Sequence, residues 1–166
     1  MAFLNSKKSP KLQDESFEEL AQMFFALPAD PTPGSEFLDA SQLNFSVESL
    51  ATVDKHLEVM RKKMRKKNLA DQSLIKFVLR CGAYVGEVIR RNIKGKEYHW
   101  LDYEDAAKLD KSIAGYGKSL GTVGILWDGK TGFTFPLNKV IKFFQNGSED
   151  SVRAFAKVII SQPSIV

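Results

Sequence analysis

The chain has too few cysteines and histidines for the disulfide bonds and metal sites that stabilise many small proteins. Its 166 residues include one cysteine, Cys81, and two histidines, His56 and His99. One cysteine cannot form an intrachain disulfide, and neither histidine has the spacing to cysteine or acidic residues of a metal site. We therefore expect no metal or other cofactor. Because Cys81 lies in apolar sequence, we expect a small buried residue in a reducing compartment rather than a nucleophile.

Long apolar runs and catalytic signatures are also missing. No apolar stretch is long enough to cross a bilayer or to act as the hydrophobic region of a secretory signal. We therefore expect a cytoplasmic protein without membrane association. There is no G-x-S-x-G, Walker-type or dinucleotide-binding motif, and "GKSLGTVG" lacks the order and the following helix of a phosphate-binding loop. The sequence therefore predicts a protein that is not an enzyme.

The sequence does contain enough apolar residues for one core. Hydrophobic residues make up 43% of the chain, and twelve of the residues are phenylalanine. Each phenylalanine buries a large apolar area, so no disulfide or metal is needed. We predict a flexible N-terminus at residues 1–14 and a single domain at residues 15–166.

Three segments in the first half of the chain have the apolar spacing of helices. "SFEELAQMFFAL" has apolar residues one helical turn apart up to Leu27, with Ser16 as its predicted cap. "NFSVESLATVDKHLEVMRKKMRKKN" is a long amphipathic pattern with Ser46 as its predicted cap. The segment from Leu74 to Ile89 is apolar on almost every side, which predicts a central helix with neighbours all around it.

The second half of the chain has strand patterns and then two helix patterns. Short strands are predicted at Tyr98–Leu101, Val123–Trp127 and Gly132–Phe135. Asp128-Gly129 is a favoured hairpin dipeptide between the last two strands. Asn138 is predicted to start the next helix, and Ser148 to cap the last one. The sequence thus predicts an α+β fold: N-terminal helices, a small antiparallel sheet with a β-hairpin, and two C-terminal helices that cover the sheet.

The stretch "GAYVGEVIRRN" places a carboxylate, Glu87, in the helix predicted to be buried. Arg90 and Arg91 follow at the spacing of a helical ion pair, and Tyr84 lies one turn earlier as a possible hydrogen-bond donor. We expect a structural ion pair. The alternative is an acid or base in a cleft, which would normally need a second titratable partner.

Two glycines, Gly82 and Gly86, lie four residues apart on the same helix and therefore on one face. Glycine in a helix costs about 1 kcal/mol of propensity. We therefore expect another helix or strand to pack unusually close to this face.

His99 and Trp100 are a further candidate pair on the first predicted strand. Strand alternation puts His99 and Asp102 on opposite faces, which argues against a catalytic dyad between them. We expect a surface histidine beside a core tryptophan.

The run "RKKMRKK" has six cations in seven residues. Its members Arg61, Lys62, Lys63 and Arg65 are candidate binding residues. A solvated helix end is the plainest interpretation. A phosphate-binding face for nucleic acid is a second possibility, and a patch that binds an acidic protein surface is a third.

Four segments carry a resemblance to a known family. "NFSVESLATVDKHLE", "GAYVGEVIRRN", "YHW" and "FPLNKVIKFFQNG", in that order, resemble a family of small bacterial proteins of unknown function. Its signatures are a G-A-Y-x-G-E-x-x-R-R helix, a tryptophan strand and an F-P-x-x-K-V helix that ends in N-G. The resemblance spans residues 44–147. It implies a fold and, for some relatives, an association with toxin–immunity or secretion loci, but no catalytic residues.

Three functions are compatible with these observations. The first is a noncatalytic protein-binding module, including an immunity protein that neutralises a cognate bacterial toxin. The second is a nucleic-acid-associated accessory protein that uses residues 61–67, and the third is an unrecognised enzyme. The sequence favours the first, with another protein as partner.

Overall fold

The computed structural model describes residues 8–26, 29–66 and 71–162, without the side chains of Arg65, Lys66 and Asp71. The regular elements within these ranges are the helices α1 (Asp14–Phe25), α2 (Leu50–Lys66), α3 (Asp71–Asn92), α4 (Tyr103–Leu109), α5 (Lys111–Ala114), α6 (Pro136–Asn146) and α7 (Val152–Ser161), and the strands β1 (His99–Leu101), β2 (Ile125–Trp127) and β3 (Phe133–Thr134). Short 3-10 helices lie at Ser35–Phe37, Ala40–Gln42, Leu120–Thr122 and Gly147–Asp150. The predicted α+β fold is confirmed.

The central helix α3 is the element around which the core forms. Its residues from Cys81 to Ile89 are all buried, as the apolar pattern predicted. Helices α1 and α6 pack against α3, and α7 contacts both α2 and α3. The main core therefore lies between α3 and the helices that surround it.

The close approach predicted at the two glycines occurs, and each glycine contacts a different element. A Cβ atom on Gly82 would lie 2.8 Å from the Leu137 Cα atom of α6. A Cβ atom on Gly86 would overlap Trp100 Cζ2. Gly82 thus allows α6 to pack close to α3, and Gly86 allows the indole ring of Trp100 to do so.

The sheet is antiparallel in the order β1-β2-β3. Trp100 pairs with Leu126, and both side chains join the main core. Leu101 and Ile125 face the other way and pack with residues of α4 and α5 in a second cluster. The prediction that the two C-terminal helices cover the sheet was wrong for this face, because α4 and α5 cover it and α6 and α7 pack mainly on α2 and α3.

Three predicted helix starts were wrong. Ser16 is an exposed residue inside α1, which begins at Asp14. Helix α6 begins at Pro136 rather than Asn138, because the fixed φ of proline suits the first helical position. Ser151, and not Ser148, caps α7 by accepting a hydrogen bond from the Ala154 amide.

Other boundaries differ by a few residues. Ser46 accepts a hydrogen bond from the Ser49 amide in a turn that precedes α2. The hairpin closes through a hydrogen bond from Asp128 N to Gly132 O rather than through a two-residue turn, and Gly129 has a φ of 80° in this loop. In the segment predicted to be flexible, Lys11 N donates to Asp105 Oδ2. Leu27 and Lys67, which belong to two of the predicted helix patterns, lie outside the described residues.

Candidate functional site

Glu87 lies at the centre of a buried network, and its side chain is only 1% exposed. Arg90 Nη1 donates to Glu87 Oε1 at 2.7 Å, and Arg91 Nε donates to Glu87 Oε2 at 3.3 Å. Trp100 Nε1 donates to Glu87 Oε1 at 2.9 Å. The predicted ion pair is present, and the indole adds a third donor that the sequence did not indicate.

Arg90 extends this network to α1 and to the start of β1. Its Nε donates to the Tyr98 carbonyl at 2.9 Å, and its guanidinium lies 3.2 Å from both Asp14 and Glu18. Burial alone would lower the pKa of Arg90, but the hydrogen bond and charge of Glu87, with the charge of Asp14, raise that pKa above its usual value. Arg90 therefore stays charged and joins three elements.

Asp14 completes the network at the first residue of α1. Its Oδ1 accepts a hydrogen bond from the Trp100 amide at 2.6 Å, and its Oδ2 lies 2.8 Å from His99 Nδ1. His99 is a partly exposed neighbour of the fully buried Trp100, as predicted. Asp102 takes no part, because its side chain caps α4 at the Asp105 amide.

The predicted hydrogen bond from Tyr84 toward Glu87 was wrong. Tyr84 Oη lies 2.7 Å from Ser49 Oγ and accepts a hydrogen bond from the Phe45 amide at 3.0 Å. Burial raises the pKa of Tyr84 above its usual value, although these two partners oppose the shift. Tyr84 therefore joins α3 to the turn before α2.

The Glu87 network is built to hold the fold together. Both carboxylate oxygens of Glu87 are occupied by donors from its own helix and from β1. A general acid or base needs access to the proton that it transfers, and the Glu87 side chain is almost wholly enclosed. The geometry therefore favours the structural interpretation of Glu87, Arg90 and Trp100 over the cleft alternative.

Outward-facing residues of α2 form a second candidate site. Lys55, Val59, Lys62 and Lys63 are exposed on α2, and the Lys63 Nζ atom lies 4.0 Å from the ring centroid of Phe37. We call these five residues the basic face. Phe37 is 46% exposed and the Lys62 side chain is 71% exposed. The structure thus places an exposed aromatic ring beside the cations.

Arg61 differs from its neighbours in the basic run. Its side chain is 17% exposed, and its Nε donates to the Phe144 carbonyl at 3.3 Å in the last turn of α6. Its Nη1 lies 3.6 Å from Glu58. Arg61 therefore binds the C-terminal end of α6 rather than facing water. The Arg65 side chain, also a candidate, lies outside the described residues.

A second buried arginine has partners that sequence reasoning missed. Arg80 is 3% exposed, and its guanidinium donates to the Asp30 carbonyl at 2.8 Å and to Thr32 Oγ1 at 3.1 Å. These partners lie about fifty residues earlier in the chain. A polar residue in an otherwise apolar helix was the available signal, as it was for Glu87.

Cys81 is fully buried and free, as predicted. Burial, and to a lesser extent the charge of Asp54, raises the pKa of its thiol far above the usual value. The thiolate form is therefore disfavoured, and Cys81 acts as a small apolar residue. Within residues 8–26, 29–66 and 71–162, no group of three histidine, cysteine or acidic residues could hold a metal ion.

None of the described helices combines the length and the apolar character that crossing a membrane requires. A scan against protein-family models, a search of curated proteins and a search of solved structures each found no match to this chain. The resemblance to the small bacterial family therefore stays a prediction.

Proposed function

We propose that the protein is a noncatalytic binding module that acts in the cytoplasm and uses the basic face to bind an acidic surface on another protein. The observation that carries this proposal is the position of Phe37 beside Lys63, with the ring almost half exposed. Exposed aromatic rings are enriched at protein interfaces, where they supply most of the apolar contact.

The charges of the basic face suit an acidic partner. Lys62 and Lys63 project from the outside of α2, and the one described acidic side chain paired with Lys62 is Glu58, at 3.8 Å. Cations at the rim of an interface accelerate encounter with an oppositely charged surface and select against basic partners. Val59, one helical turn before these lysines, is 37% exposed and adds apolar area to the basic face.

The same geometry is less suited to nucleic acid. Arg61 is engaged by the Phe144 carbonyl and by Glu58, so its guanidinium is not free for a phosphate. Single-stranded nucleic acid is usually held by several stacked bases, whereas the basic face has one aromatic ring.

A bacterial toxin with an acidic surface is one candidate partner, because the family resemblance implies, for some relatives, an association with toxin–immunity or secretion loci. On that hypothesis the protein would neutralise the toxin by covering the toxin's acidic surface. Coexpression of an isolated partner with and without this protein would show whether the partner is toxic alone.

Affinity isolation from the native host tests the proposal. The parent protein is compared with the double variant Lys62→Glu, Lys63→Glu, which reverses two exposed charges. We expect the parent to retain a protein partner and the double variant to lose it. The retained partner should also be released as salt rises, because exposed charges are screened.

The matched control is Lys108→Glu, Lys111→Glu, which reverses two exposed lysines on α4 and α5. This control should retain the partner as well as the parent does. A partner that binds all three proteins equally would contradict the assignment to the basic face, and retention of nucleic acid alone would favour the accessory function.

A further inference from the structure

A cavity of about 390 Å³ lies between the hairpin, the last helix α7 and the segment before β1. Its volume is in the range of small-molecule sites in proteins. It contains none of the residues of the basic face, and of the Glu87 network it shares only Tyr98, whose backbone carbonyl binds Arg90. A ligand bound in the cavity would therefore not contact the residues of the basic face.

The side chains of Tyr98 and Thr134 bring two hydroxyl groups to the lining of this cavity. Tyr98 is 5% exposed and Thr134 is 8% exposed, and neither side chain makes a hydrogen bond with another described residue. Neither hydroxyl oxygen is among the enclosed polar atoms that lack a partner, so each is open to water or to a ligand in the cavity. Both hydroxyls are thus available to polar atoms inside the cavity.

Opposite charges also line the cavity. Lys96 is half-buried and forms no ion pair with the described residues. Asp128 Oδ1 accepts hydrogen bonds from the amides of Lys130 and Gly132, each at 2.9 Å, which leaves Oδ2 without a hydrogen bond. The cavity therefore offers one cation and one carboxylate oxygen.

The remaining part of the lining is apolar. Phe155, Val158 and Ile159 present one side of α7, and Phe133 lies opposite on β3. Val158 is 59% exposed, the largest exposure of an aliphatic side chain among the described residues. Apolar ligand surface placed here would be removed from water.

We propose that this cavity binds an amino-acid-like zwitterion with an apolar side chain. Lys96 pairs with the ligand carboxylate, and Asp128 Oδ2 accepts a hydrogen bond from the ligand ammonium group. The Tyr98 and Thr134 hydroxyls supply further hydrogen bonds, and the apolar side chain packs on α7. Burial, with the nearby charge of Asp128, raises the pKa of Tyr98 above its usual value, so its phenol is a neutral donor at physiological pH.

Three probes separate the parts of this site. L-Phenylalanine has both charges, 3-phenylpropanoate lacks the ammonium group, and 2-phenylethylamine lacks the carboxylate. We expect L-phenylalanine to bind the full chain with a Kd on the order of 1 mM, as befits a ligand of this size. Each single-charge probe should bind about tenfold more weakly, because it forms only one of the two charge-assisted contacts.

Titrations followed by amide NMR and calorimetry would use the parent, Lys96→Met and Lys94→Met. Lys94 is an exposed lysine two residues away that does not line the cavity. Lys96→Met should bind L-phenylalanine no better than 2-phenylethylamine, whereas Lys94→Met should keep the parent's tenfold preference. Shifts should appear at Tyr98, Phe133 and Val158.

Either of two results would overturn the proposal. One is the absence of binding at a ligand concentration of about 20 mM, well above the expected Kd. The other is a preference for the zwitterion that Lys96→Met leaves intact or that Lys94→Met also abolishes. The variant Tyr98→Phe keeps the aromatic packing, so a folded Tyr98→Phe protein with the parent's affinity would likewise count against the site.

Discussion

Trp100 Nε1 donates a hydrogen bond of 2.9 Å to Glu87 Oε1, and the indole ring of the same residue lies over Gly86. The indole also stacks on Phe17, with ring centroids 4.2 Å apart. One side chain of β1 thus satisfies the buried carboxylate of α3, fills the space left by the glycine and contacts α1. The position of β1 is therefore fixed by polar and apolar contacts together.

The first prediction concerns Glu87→Gln, which keeps the size of the side chain and removes its charge. Arg90 is left in a partly buried site without its main partner, so the free energy of unfolding should fall by about 2–4 kcal/mol. Urea denaturation measures this loss. The control Glu19→Gln changes an exposed residue of α1 and should stay within about 0.5 kcal/mol of the parent.

A parent-like stability of Glu87→Gln, combined with the loss of binding of an identified partner or substrate, would contradict the structural role. Glu87 would then be a functional carboxylate, as the alternative interpretation of the sequence states.

The second prediction concerns the contact between Gly86 and Trp100. Gly86→Ala should destabilise the fold by about 1–3 kcal/mol through overpacking, despite the better helix propensity of alanine. Trp100→Phe removes the ring atoms that the new methyl group would meet. The loss of unfolding free energy in the double variant should therefore be about 1 kcal/mol smaller than the sum of the losses in the two single variants. If the losses measured by denaturant unfolding add up in the double variant, the two residues do not share this space.

The third prediction concerns pH. His56 is 3% exposed, and neither ring nitrogen has a hydrogen-bond partner in the described residues. Burial lowers the pKa of His56 below its ordinary 6.5, although the Phe37 backbone and the charge of Glu36 partly oppose the shift. The unfolded chain therefore binds a proton more readily than the native one, and stability should fall as pH drops below about 6.5.

The variant His56→Leu isolates this effect. Its difference in unfolding free energy between pH 7 and pH 5 should be smaller than that of the parent, whatever its stability at pH 7. Equal differences in the two proteins would mean that protonation of His56 does not contribute to acid sensitivity.

The fourth prediction separates two neighbouring cations of the basic run. Arg61→Gln removes the guanidinium that binds the end of α6 and should cost about 1 kcal/mol. Lys62→Gln changes a side chain that is 71% exposed and should stay within about 0.5 kcal/mol of the parent. Thermal and urea unfolding of both variants checks this. Equal effects would show that Arg61 is a solvated side chain.

Local sequence spacing predicted those features whose partners lie within one or two helical turns. The pairing of Glu87 with Arg90 and Arg91 depends only on helix geometry, and so does the burial of α3. Asp128-Gly129 correctly marked the hairpin, although its loop is longer than two residues.

Contacts between distant segments could not be predicted from spacing. Helix α1 starts at Asp14, whose carboxylate accepts a hydrogen bond from the Trp100 amide, 86 residues away. Tyr84 binds Ser49 Oγ and the Phe45 amide, which lie 35 and 39 residues earlier in the chain. Phe37 became a candidate binding residue only when the fold brought it beside Lys63.

Site-specific photocrosslinking in the native host tests the proposed interface most directly. A photoreactive phenylalanine would replace Val59, which is 37% exposed on the basic face, or Val123, which is 41% exposed elsewhere. We predict a crosslink from position 59 to an acidic segment of one protein, and its loss in the Lys62→Glu, Lys63→Glu background. A crosslink to that protein from position 123 alone, or equal crosslinking with and without the charge reversal, would contradict the basic face as the binding surface.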